Sequence, residues 1–87
     1  MKEIRLQTSG RTDFVDLNGR VQAVVDDLGL ADGAVVVFNP HTTAAVTINE
    51  GADPDVVRDI TAALDKLVPW NDGYRHAEGN SAAHIKA

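Results

Sequence analysis

Asn39-Pro40-His41-Thr42-Thr43-Ala44-Ala45-Val46-Thr47-Ile48-Asn49-Glu50 is the stretch on which the reading of the fold turns. It sets a tight break between two apolar runs rich in β-formers. Pro40 lacks the N–H that a ladder would use, so Asn39-Pro40 closes a strand over Ala34–Phe38. That run, Ala34-Val35-Val36-Val37-Phe38, is apolar on both faces and predicts a central strand covered on both sides. His41, Thr42 and Thr43 occupy the break, and Ala45–Ile48 predicts a second strand ending at Asn49-Glu50. An imidazole, two hydroxyls and a carboxylate are thus gathered at the ends of one strand pair, in loops of the kind that carry site residues.

Upstream, Lys2–Thr8 alternates, with Ile4 and Leu6 on one face and Glu3, Arg5 and Gln7 on the other, as a half-buried strand does. Ser9-Gly10 reads as a turn and Thr12–Val15 as an antiparallel return. Either Asp16 or Asn18 can cap the helix that follows. Its apolar stripe is Val21, Val24, Val25 and Leu28, and Gly29 stands where a left-handed residue ends a helix. Downstream, Asp53 as N-cap and Pro54 as first helical residue announce a second helix. Val56, Val57, Ile60, Ala63, Leu64 and Leu67 form its stripe, and Pro69 ends it. Trp70–Gly79 is a polar loop, and Asn80 can cap a short final helix. The expectation is one domain over residues 1–87, of α+β class, a mixed or antiparallel sheet with helices in the order ββαββα plus a third helical segment. Its core would be Val25, Phe38, Ile48, Ile60 and Leu64.

With 87 residues there is room for one small core, and the absence of cysteine removes disulfides and thiolate ligands. A formal net charge of −5 argues against a general phosphate-backbone binder. Met1–Gly10 has no signal-peptide core and no apolar run reaches membrane-spanning length, so a cytoplasmic protein is expected.

All three histidines, His41, His76 and His84, fall outside the apolar stripes. Three imidazoles with an open fourth position make a catalytic type of zinc site; three solvated surface histidines give the same pattern. Glu50 stands as a general acid or base if the strand end desolvates it, or as a plain loop carboxylate. Thr42 and Thr43 either donate to an anion or satisfy a turn. Asn80 and Ser81, opening a helix, either hold an anion or simply cap. Asp59 either orients a histidine or is a solvated helix carboxylate.

His41-Thr42-Thr43-Ala44-Ala45, Ile48-Asn49-Glu50, Asp59, Leu67-Val68-Pro69, Tyr74-x-His76 and Asn80-Ser81-Ala82-Ala83-His84-Ile85-Lys86-Ala87 follow in order over essentially the whole chain, and together they resemble the YjbQ family. The resemblance implies an α+β fold assembled as a homotrimer, a metal-binding pocket and a weak thiamine-phosphate synthase activity. It implies His41, His76 and His84 as ligands of a divalent metal, zinc by preference. Glu50, and with it Asp59, becomes the acidic partner; Thr42, Thr43, Asn80 and Ser81 are the phosphate-binding candidates by residue type and placement. Members of that family continue for some tens of residues past the segment matching His84–Ala87 and add strands there. The present sequence is therefore expected to match the N-terminal part of a longer domain, with an uncovered sheet edge and a tendency to self-associate. Two function classes follow. One is a metal-dependent enzyme that joins hydroxymethylpyrimidine pyrophosphate to thiazole phosphate and releases pyrophosphate. The other is a metal-binding trimeric module without efficient catalysis.

Overall fold

The computed structural model describes every residue from Met1 to Ala87. It contains three helices, α1 (Asn18–Asp27), α2 (Pro54–Leu67) and α3 (Ser81–Lys86), and no β-strand. The chain divides into two compact units, Met1–Val36 and Val37–Ala87.

The expected α+β class with ββαββα order is overturned by this. Lys2–Thr8, Thr12–Val15, Ala34–Phe38 and Ala45–Ile48 have the composition of strands, yet no ladder of backbone hydrogen bonds pairs any two of them. A strand exists only beside a neighbour about 4.8 Å away that exchanges hydrogen bonds with it. Alternation tells which side chains share a face, and carries nothing about the partner. Without a sheet the apolar side chains of these runs stay in solvent. Phe38 and Ile48, expected in the core, are 77% and 101% exposed, and Val36, the last residue of the first unit, is 88% exposed. Val25, Ile60 and Leu64 are half-buried. Ala82 is the one fully buried apolar residue, at 1%.

In the first unit, α1 turns Val21, Val24 and Val25 inward, with Leu17 one turn earlier in place of the exposed Leu28. Leu17 stands at the N-cap rather than either expected residue; the Asp16 Oδ1 accepts from the Asn18 N–H at 2.8 Å from one position further back. The helix ends as expected at Gly29, with φ of 67°. The Gly29 N–H donates to Asp26 O at 3.0 Å and the Leu30 N–H to Val25 O at 3.3 Å. That pair of bonds is the Schellman closure, which satisfies two carbonyls the helix would leave open. Only glycine reaches the required φ without strain. The Lys2–Asp27 ion pair, 2.7 Å long, is solvent-exposed and contributes about 0–1 kcal/mol.

In the second unit, α2 begins as its sequence signals. Asp53 Oδ1 accepts from the Asp55 N–H at 2.9 Å, and Pro54 fills the first helical position, where no N–H is needed. Val56, Val57, Ile60, Thr61 and Leu64 make the half-buried stripe, while Ala63 and Leu67 are exposed. The Val68 N–H closes on Leu64 O at 2.8 Å, just before Pro69. Asp53→Ala is expected to lower stability by about 1 kcal/mol, read as a lower urea midpoint. An unchanged midpoint would mean that Pro54 alone defines the helix start. No helix is long and apolar enough to cross a membrane.

Candidate functional site

Every candidate site residue, from His41 to His84, lies in the second unit. The first group sits at the Asn39–Ala44 turn, which Asn39 organises. Its Oδ1 accepts from the His41 N–H at 3.1 Å, while its Nδ2 donates to His41 O at 3.1 Å and to Ala44 O at 2.6 Å. One side chain thus replaces the hydrogen bonds that a strand pair would have supplied at this break. Sequence reasoning treated Asn39 only as a strand stop. Its signal was an Asn two residues before the histidine, the spacing of an Asx turn. His41, Thr42 and Thr43 are exposed on this turn.

Glu50 is exposed and folds back on its own chain, both carboxylate oxygens accepting from the Ala52 N–H at 3.3 Å. The desolvated strand-end carboxylate is therefore not what forms here, since the strand that would have buried it is absent. Asp59 is exposed on α2, and no hydrogen bond joins it to a histidine.

The second group is assembled. His76, in the loop between α2 and α3, and His84, on α3, stand edge to face with ring centroids 5.4 Å apart and planes at 83°. The loop is held at several points. Tyr74 Oη donates to Pro69 O, and the Gly79 N–H donates to His76 O at 3.1 Å. Positive φ at Gly73 (62°) and Gly79 (76°) lets the backbone turn on either side of His76. Asn80 precedes α3, and its backbone carbonyl accepts from the Ala83 and His84 N–H groups. Its side chain makes no cap bond, contrary to expectation, and Oδ1 is buried without a partner. Ser81, the first residue of α3, is half-buried.

Whether these residues suit a divalent cation can be judged from their geometry. Two imidazoles on one tetrahedral zinc, with Zn–N of about 2.0–2.1 Å, have centroids roughly 5 Å apart. The His76–His84 separation fits that arrangement. The buried Asn80 Oδ1 is an acceptor suited to a donor such as a metal-bound water. No group of three His, Asp or Glu side chains stands in ligating array, so His41 is not drawn to the pair. Of the three histidines, His76 and His84 stand together and His41 does not join them.

Sequence reasoning gave no site role to Lys86, Asp65 and Trp70, which meet one another: Lys86 Nζ lies 2.6 Å from Asp65 Oδ1 and 3.7 Å from the Trp70 ring centroid. The available signal was a lone tryptophan directly after Pro69 and a lysine in the last turn of α3.

Fold and site together define a small two-unit chain whose second unit presents a histidine pair between a helix and a glycine-hinged loop. The YjbQ-like UPF0047 family profile matches residues 2–87, and the chain belongs to that family. It is 41% identical to the UPF0047 protein YugU of Bacillus subtilis, over 100% of this chain and 67% of that protein. It is 42% identical to a UPF0047 protein of Methanocaldococcus jannaschii, over 95% of this chain and 60% of that one. The crystal structure of an uncharacterised YjbQ/UPF0047 protein from Clostridium acetobutylicum superposes with a TM-score of 0.90 at 56% identity, covering 94% of this chain and 64% of that chain. The chain thus spans about two thirds, or somewhat less, of the length of these relatives.

Proposed function

We propose that His76 and His84 are the nucleus of a divalent-cation site, zinc by preference, in a metal-dependent enzyme resembling thiamine-phosphate synthase. The reaction would join hydroxymethylpyrimidine pyrophosphate to thiazole phosphate and release pyrophosphate. The 5.4 Å approach of the two imidazoles carries the cation reading; the choice of reaction rests on the family resemblance, which also makes His41 the third donor. A bound cation would supply positive charge to the departing pyrophosphate. Thr42, Thr43 and Ser81 hydroxyls and the Asn80 amide are the side-chain donors for phosphate oxygens. The family resemblance makes Glu50, with Asp59, the acidic partner of the site, and both carboxylates face solvent. The working form is a cytoplasmic homotrimer that takes a small phosphorylated substrate, and neither nucleic acid nor membrane is its partner.

A second reading, a metal-binding trimeric module without efficient turnover, is favoured by one observation. The Glu50 carboxylate is occupied with its own Ala52 N–H. Calorimetric titration with zinc at neutral pH, then with pyrophosphate on the loaded chain, separates the possibilities. The enzyme reading expects saturable zinc binding and pyrophosphate binding that requires the ion. No zinc uptake would overturn the cation reading. Zinc uptake with indifference to pyrophosphate would leave the module.

A further inference from the structure

Lys86 carries a charge, yet its side chain retains only 10% of its exposure. Withdrawing an ammonium from water is unfavourable unless other groups take over its solvation. Two groups do so here: Asp65 Oδ1 at 2.6 Å and the face of Trp70, whose centroid lies 3.7 Å from Nζ. Asp65 is in the last turn of α2, Trp70 begins the loop, and Lys86 is the last residue of α3. The contact therefore ties the end of α2 to the end of α3 across the whole loop that carries His76.

Two further observations connect this tie to the histidines. A six-residue helix has no stability of its own, because nucleation costs more than so few hydrogen bonds return. His84 and Lys86 are two residues apart, so they project from α3 about 200° from each other. Anchoring Lys86 fixes the rotation of the helix as well as its position, and with them the direction of the His84 ring. We infer that Lys86 is a positioning residue whose contact with Asp65 and Trp70 holds His84 beside His76. This rests on the reading of that pair as cation donors. If the pair is assembled for only a fraction of the time, apparent cation affinity falls by that fraction.

The test uses the full 87-residue chain with Lys86→Met, Lys86→Arg and Asp65→Asn, and with Lys66→Met as a control for loss of charge on the exposed side of α2. Zinc affinity is measured by calorimetry, and the inter-ring nuclear Overhauser effect between His76 and His84 is measured in the metal-free protein. Emission of Trp70, the single tryptophan, reports release of the ammonium from its face. Lys86→Met is expected to lose about tenfold or more in zinc affinity, together with the inter-ring effect. Asp65→Asn should move the same way, and Lys86→Arg should preserve both, because a guanidinium can make both contacts. Lys66→Met should change neither. If Lys86→Met unfolds the chain, Asp65→Asn decides. Parent-like zinc affinity and a retained inter-ring effect in the Lys86→Met and Asp65→Asn variants would overturn the inference. A parent that binds no zinc, with an inter-ring effect that vanishes in Lys86→Met, would leave the positioning role standing and remove the cation reading. The converse, zinc bound equally by parent and variants, would do the reverse.

Discussion

His84→Ala is expected to lose more than about 100-fold in zinc affinity, beyond the roughly 10–100-fold that changes in a ligand's supporting contacts cost. His76→Ala should lose as much, since the two rings stand as equals 5.4 Å apart. His41→Ala separates the family-implied ligand set from the assembled one. A comparable loss would make His41 the third donor, and parent-like affinity would restrict the site to the pair. Glu50→Gln should leave zinc affinity near that of the parent, because Glu50 is exposed and bonded to Ala52. Acidification should release the ion in the parent, as protons compete for the imidazole nitrogens. Parent-like binding by His76→Ala or His84→Ala would sink the site and restore plain solvated histidines.

The second large effect concerns the surface. Phe38 and Ile48 are 77% and 101% exposed, and the chain is expected to self-associate through them. Full burial of such a side chain is worth about 1.5 kcal/mol or more, so removing two should weaken association by about 3 kcal/mol, roughly 100-fold. Sedimentation of a Phe38→Ser, Ile48→Ser double variant against the parent measures this. Because neither side chain is packed in the monomer, the double variant should melt within about half a kilocalorie of the parent. A monomeric parent at high concentration would show that these side chains find no partner in a second copy.

The helices were legible in the sequence because a helix answers most of its own needs within a few residues. Asp53 and Pro54 prepare the start of α2, and Gly29 and Leu30 close α1 by bonds to residues three and five positions back respectively. Everything that decides these ends is local. Ala34–Phe38 and Ala45–Ile48 were misread for the complementary reason: their composition expresses a preference whose fulfilment depends on another segment, and alternation does not name that segment. The site divides in the same way. His76 and His84 are eight residues apart on one loop and the helix it feeds, so their approach needed little beyond the turn at Gly79. The relation of His41 to them depends on tertiary placement, which residue types do not encode. Lys86 escaped notice because a terminal lysine ordinarily reads as a solubilising charge, and its role depends on Asp65 and Trp70 being where they are.

Ala82 is the most shielded side chain of the molecule, and it belongs to its shortest helix. That inversion bears on time. Backbone amides in α3 should exchange with deuterated water only when the helix lifts as a unit and withdraws the Ala82 methyl from its surroundings. Each such opening also carries His84 away from His76. Exchange of the Ala83 and His84 amides, bonded to Asn80 O at 3.1 and 3.3 Å, therefore reports how readily the imidazole pair comes apart.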